Sequence, residues 1–218
     1  MIDYAAARLT MVESQLRTNK VTDEGVLDAF LAVPRERFVP PALSGTAYVD
    51  DDLPLGHGRY LMEPMVLARL LQIAEIGRED RVLEIGCASG YGTALLARVA
   101  RSVVAIESDV ELLRQAMTRL RELGIGNAAV LEAALTGGYP GRAPYDVILF
   151  EGAVAGIPTA IAHQLADRGR LVAVVQEEGA MGRAVLMTSA GGTLSRRAAF
   201  DATVPLLPGF QSEPSFVF

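Results

Sequence analysis

Apolar positions along the chain follow two rhythms. Through about residue 75 they recur at helical spacing between stretches rich in proline and glycine, and from Arg81 onward short β-branched runs alternate with amphipathic ones. Leu9, Val12 and Leu16 share one helical face, with Met11 and Gln15 beside them. Thr22, Asp23 and Glu24 supply a cap and first-turn acids for a helix through Val26, Leu27, Phe30 and Leu31, which Pro34 stops. Pro40-Pro41 and the segment DDDLPLGHGR at 50–59 are expected to be irregular. Pro64 suits a first helical turn and opens a helix carrying Met65, Leu67, Ala68, Leu71 and Ile73.

The second rhythm predicts strands over 81–85, 102–106, 128–131, 145–150 and 169–175. Helices are predicted over 91–100, 110–123 (closed by Gly124) and 157–165. Such alternation implies an α/β fold, a doubly wound parallel sheet with helices on both faces. The runs 182–188 and 193–200 flank Ser-Ala-Gly-Gly and read as an antiparallel hairpin at the sheet edge. Residues 1–75 lack the apolar content for a core of their own. They are expected to be a helical extension covering the pocket of a domain formed by 76–218.

Charge and composition remove several classes of function. With 20 basic and 26 acidic side chains the chain carries a formal charge of −6 and has no long Lys/Arg run, which disfavours nucleic acid as a partner. No stretch approaches the ~20 apolar residues that a bilayer span requires. Cys87 is the only cysteine, so no disulfide can form within the chain. Two histidines and that cysteine, without ligand spacing, predict no metal site. The first residues lack the basic and apolar regions of a secretory signal, and a cytoplasmic protein is expected.

The run VLEIGCASGYGT at 82–93 carries the most chemical information. A buried strand ends, Gly86 and Gly90 turn the chain, and a helix begins, which lets backbone approach a ligand and aims a helix N-terminus at it. Glu107 follows the next strand, where doubly wound sheets place an acid that accepts from ribose hydroxyls. The dinucleotide pattern of three glycines is broken by Ala88 and Tyr91. The Glu84 charge opposes a diphosphate and favours an ammonium or sulfonium. Together these point to S-adenosylmethionine.

These residues resemble the class I methyltransferases, and among them the protein-L-isoaspartate O-methyltransferase family. The run at 82–93 is similar to that family's VLEIGxGSGYxT, VPRERFVP at 33–40 to its VPRxxFVP, Ala143-Pro-Tyr-Asp146 to its A-P-[FY]-D, and Ile157-Pro158 to its I-P. The resemblance implies a Rossmann-like sheet of seven strands whose last two form the edge hairpin. It also implies methyl esterification of the free carboxyl of isoaspartyl residues in damaged proteins. S-adenosylmethionine is then expected on Glu84, Gly86, Cys87, Ala88, Ser89 and Gly90, on Glu107 and Ser108, and beside Leu61, Met62, Ala134 and Leu135.

Three positions depart from the family pattern. Met62 stands where a serine helps hold the acceptor carboxylate, and a thioether donates no hydrogen bond. Ala134 stands where an aspartate contacts the adenine amino group; Glu132 is the nearby acid, but side-chain direction reverses at each strand residue. Glu151 ends the fourth strand, where small or hydroxyl residues are usual; pointed into the pocket it repels an anionic acceptor, otherwise it pairs with an arginine or caps the next helix. Tyr60, Arg59 and Tyr91 are candidates for the acceptor pocket. An O–H or N–H acceptor would call for a base, with Glu151 or His57 as the candidates. A methyltransferase with another acceptor, protein or small molecule, and a catalytically idle donor-binding homologue stay open as alternatives. The edge hairpin and the apolar tail at 214–218 are equally suited to dimerisation or to packing on their own chain.

Overall fold

The computed structural model describes residues 2–177 and 179–211; the apolar tail at 214–218 lies outside them. Nine strands and six α-helices are named here in chain order. The main sheet comprises β3 (Arg81–Ile85), β4 (Ser102–Glu107), β5 (Ala128–Glu132), β6 (Tyr145–Val154), β7 (Leu165–Val175), β8 (Arg183–Ala190) and β9 (Thr193–Asp201). Their spatial order is β5-β4-β3-β6-β7-β8-β9, parallel through β7 and antiparallel across β7-β8-β9. The chain winds outward from β3 to β5 and then crosses back to β6 on β3's other side. That reversal opens a crevice beyond the carboxyl ends of β3, β4 and β6.

Burial on both faces explains why β3 and β4 read as unbroken apolar runs. Val82, Val103, Ala105, Val147, Leu149, Val172 and Val174 pack in one cluster with residues of α2 (Glu24–Ala32), α3 (Pro64–Ile73) and α4 (Tyr91–Val99). Leu83, Ile85, Ile106, Ile148, Phe150 and Leu171 alternate onto the opposite face, against Ile161 of α6 (Thr159–Ala162) and against Leu207 and Phe210. At the first interface Tyr91 meets Phe30 and Phe38 edge-on, with centroids 6.0 and 5.4 Å away. The fully buried Arg35 guanidinium lies 5.0 Å from the Tyr91 centroid. The first helix, α1 (Tyr4–Met11), is capped by Asp3 and runs on into a π-helical turn, Val12–Leu16. Asp23 caps α2 and Asp109 caps α5 (Val110–Glu122) through their side chains.

Two expectations are corrected. The segment at 50–59 is not irregular throughout: β1 (Leu53–Gly56) and β2 (Arg59–Leu61) form an antiparallel hairpin separate from the main sheet. Its turn runs through Gly56, His57 and Gly58 at φ 91°, 55° and 71°, and that tight reversal is what the glycines serve. The helix expected over 157–165 shrinks to α6, because the chain is already extended at Leu165, which pairs with Tyr145 to begin β7. Among the described residues no helix is long and apolar enough to cross a membrane.

Candidate active site

Strand alternation gathers three carboxylates. Glu84 is on the same side of β3 as Val82, Glu107 follows Val103 and Ala105 on β4, and Glu151 follows Val147 and Leu149 on β6. Glu84 is level with Ala105 and Leu149, so Glu107 and Glu151 rise one pleat above it on either flank. All three are buried, at 0 %, 0 % and 7 % exposure. Sequence reasoning identified each of them, but the common face was also legible, since each ends its run two residues beyond an inward apolar position.

Glu84 and Glu151 meet over Gly92. A Cβ on that glycine would come within 2.0 Å of Glu151 Oε1 and 2.4 Å of Glu84 Oε1, so only a glycine leaves room for both. Thr93 Oγ1 donates to Glu84 Oε2 at 2.5 Å, while Oε1 of both acids has no protein partner. Burial, reinforced by the neighbouring acid, raises Glu84 well above the usual carboxylate range. Burial likewise raises Glu151 to about 8, against the opposing pull of the Arg59 and Arg35 guanidinium groups. Two contacting carboxyls in a dry site hold at least one proton between them at neutral pH. Glu151 neither pairs directly with an arginine nor caps a helix.

Glu107, by contrast, is saturated. Its Oε2 accepts from Ala88 N at 2.7 Å and from Arg59 Nη2 at 2.9 Å, and its Oε1 accepts from Ser108 N at 2.8 Å and Asp109 N at 3.1 Å. Arg59, a candidate for the acceptor pocket, reaches in from β2, 3 % exposed; it lines a cavity with Tyr60 and Met62, and its Nη2 also donates to Gly86 O at 2.7 Å. A Cβ on Gly86 would lie 2.9 Å from that nitrogen and 2.8 Å from Leu207 Cδ2. Leu207 is held there by the end of β6, its N–H donating to Ala153 O at 2.8 Å. Among the described residues that cavity, of about 10 Å³, lies beside Asp52, Arg59, Tyr60, Met62, Glu151 and Leu206. That is the scale of a single water, against ~300 Å³ or more for ordinary ligand pockets.

The other predicted residues divide. Met62, Tyr60 and Glu151 line this cavity together. His57 stands apart at the hairpin tip, its side chain 63 % exposed and its Nδ1 2.5 Å from Asp109 Oδ2. Tyr91 is core, packed between Phe30, Phe38 and Arg35. Ser89 spends its hydroxyl on Phe38 O at 2.7 Å. Cys87 is wholly buried, and burial pushes its thiol up, which excludes a thiolate at neutral pH. Ala88 keeps a left-handed φ of 47° where glycine would be unstrained. Glu132, the last residue of β5, and Ala134, just beyond it, are exposed, while Leu135 is buried. Among the described residues no group of acids, histidines and cysteine has metal-site geometry.

Sequence reasoning missed Leu207, Thr93 and the structural role of Arg35. The Arg35 Nε donates to Ala47 O at 2.7 Å and its Nη2 to Met62 O at 2.8 Å, which anchors the base of the hairpin. The signal for Arg35 was its place in the VPRERFVP run. Leu207 carries no signal, since it sits in an aperiodic stretch.

A reversed parallel sheet, a glycine loop between β3 and α4, and acids ending β3 and β4 define a methyltransferase of the doubly wound, seven-stranded class. The model of the family described as Protein-L-isoaspartate(D-aspartate) O-methyltransferase matches residues 7–201. A protein-L-isoaspartate O-methyltransferase of Aromatoleum aromaticum is 39 % identical over 206 residues, covering 93 % of each chain. One from Methylorubrum extorquens is 43 % identical over 177 residues, 81 % of this chain and 77 % of that one. Among solved structures, a protein-L-isoaspartate O-methyltransferase shares the fold at TM-score 0.81 and 24 % identity, over 94 % of this chain and 67 % of its own. A Plasmodium falciparum structure, described as a putative enzyme of this kind in complex with S-adenosyl-L-homocysteine, aligns at TM-score 0.79 and 17 % identity, over 95 % and 99 % of the two chains. The chain belongs to the protein-L-isoaspartate O-methyltransferase family, whose members are S-adenosylmethionine-dependent O-methyltransferases.

Proposed function

We propose that this chain esterifies the free carboxyl of isoaspartyl residues in damaged cytoplasmic proteins with a methyl group from S-adenosylmethionine. Residues 1–75 act as a cover for the crevice rather than as a unit of their own. The observation that carries the reading is the buried Glu84, whose Oε1 lacks a partner, one strand from Glu107 at the mouth of a glycine loop. An orphaned buried carboxyl oxygen fits an ammonium or sulfonium, whose charge favours the ionised form of the acid, and a strand-end acid fits ribose hydroxyls. Glu84, Gly86, Cys87, Ala88, Ser89, Gly90, Glu107 and Ser108 would hold this donor, flanked by Leu61, Met62, Ala134 and Leu135. When bound, it supplies an activated methyl group.

For the acceptor, the chain's task is positioning. A carboxyl of ordinary pKa ~4 is ionised at neutral pH and needs no base. Burial raises Glu151 to about 8, so at neutral pH it is mostly protonated and does not repel that anion. Its O–H is a hydrogen-bond donor in the cavity that Met62, which has none to offer, also lines. Glu151 in this cavity also supports a second reading, an O–H or N–H acceptor for which its carboxylate is the base.

Methanol release from an isoaspartyl peptide tests the two. Wild type is expected to be active, and Met62→Ser to lower KM for the peptide about tenfold, the worth of a hydrogen bond to a charged group. Donor binding with no methanol from either protein would transfer the case to the second reading.

A further inference from the structure

The donor set suits S-adenosylmethionine in kind, but the space above it is taken by the chain itself. We propose that the β1–β2 hairpin is an internal lid, with Arg59 seated on Glu107 in place of the donor's ribose, so that the donor binds only when the hairpin swings out. This inference rests on the donor assigned above.

Each contact of the lid is local and separable. Arg59 binds Glu107 Oε2 at 2.9 Å and Gly86 O at 2.7 Å, the strand-end acid and the loop carbonyl. A second latch joins His57 Nδ1 to Asp109 Oδ2 at 2.5 Å, on the solvent side of the same crevice. Neither hairpin strand pairs with the main sheet, so the lid can lift without breaking a ladder of the core. Its base is fixed: Arg35 holds Met62 O at 2.8 Å, and Asp52 Oδ1 accepts from Glu63 N at 2.9 Å. Leu53 and Leu61 are buried in the core, so motion falls on the tip, residues 56–60, which carries both latches.

The closed state is incompletely satisfied. Arg59 Nε has no partner, and neither does Oε1 of Glu84 or of Glu151 beneath the lid. A buried ion pair gains little net free energy after desolvation, so it suits a contact that must break in use.

The test is equilibrium binding of S-adenosylmethionine by calorimetry to wild type, Arg59→Ala and His57→Ala, with hydrogen exchange over 56–60 as the second readout. Circular dichroism establishes that each protein is folded. The lid predicts binding about tenfold tighter or more for Arg59→Ala and about twofold tighter for the exposed, fold-neutral His57→Ala. It also predicts that saturating donor speeds exchange of the wild-type hairpin amides. Equal or weaker binding by folded Arg59→Ala, with wild type binding, would overturn the lid and leave the methyltransferase reading intact. Failure of His57→Ala to tighten binding, should Arg59→Ala not fold, would also overturn it. Absence of binding by all three at millimolar donor would overturn both readings.

Discussion

The loop between β3 and α4 and the hairpin of β1 and β2 face each other across one ion pair and differ in almost everything else. The loop is tied to the core: Gly86 N and Cys87 N donate to Ile106 O at 2.9 and 3.1 Å, and Ala88 N donates to Glu107 Oε2 at 2.7 Å. The hairpin belongs to no larger sheet; Leu53 and Leu61 root it in the core, and its tip is fastened over the crevice by the Arg59 and His57 side chains. One side of the site is thus scaffold and the other is cover. A crevice built this way keeps its chemistry while its access changes.

The sharpest way to break that comparison is to remove the residue that serves both sides. Glu107→Ala strands the Ala88 amide of the loop, the Ser108 and Asp109 amides that follow β4, and the buried Arg59 guanidinium together, and the expected loss is about 3–5 kcal/mol of stability, read from urea midpoints. A loss below about 1 kcal/mol, the range of exposed pairs, would mean that the loop holds its shape without this acid and that the scaffold lies elsewhere.

The same contrast decides what the sequence disclosed. β3 and β4 were legible because strands buried on both faces read as continuous apolar runs. Glu84 and Glu107 stood out as the charges closing those runs. The hairpin was not legible: Leu-Pro-Leu-Gly and Arg-Tyr-Leu are too short to show alternation, and proline and glycine argued against strands. Arg59 reads as a candidate for the acceptor pocket, but nothing local announces that its ionic partner lies 48 residues on. The truncation of α6 escaped for a related reason. Leu165 is claimed by Tyr145 of β6, a tertiary pairing that overrides helical spacing.

Glu151 tests the wall between the two regions with a smaller expected effect. Its folded pKa of about 8 lies above its ordinary value of 4.5, so the folded state keeps a proton that the unfolded chain releases first. Stability therefore falls as pH rises from 4.5 to about 8. Asp52, raised to about 6, and Glu63, raised to about 7, both mainly by burial, tilt the curve the same way. Glu151→Gln preserves the neutral shape and cannot ionise. It is expected to be more stable than wild type by about 1–3 kcal/mol at pH 8, with a shallower fall, the remainder belonging to the other acids. Thermal melts from pH 5 to pH 8 read both quantities. An unchanged slope would place the pH sensitivity in acids other than Glu151.

The smallest effect separates strain in the loop from packing in it. Ala88 sits at φ 47°, is 2 % exposed and donates its N–H to Glu107 Oε2. A left-handed alanine costs ~1–2 kcal/mol, and glycine at the same place removes that strain while adding ~0.5–1 kcal/mol of unfolded-chain entropy. The balance favours Ala88→Gly by about 0.5 kcal/mol, a shift of a few degrees in Tm at most. Loss of a buried methyl opposes it at ~0.8 kcal/mol, so the sign of the measured change reports which term governs this turn. A gain means that the backbone of the loop is held against its preference by Glu107, as a scaffold would hold it. A loss means that the Ala88 methyl is itself part of the wall the hairpin closes against, and that loop and lid are packed as one surface rather than joined by charge alone.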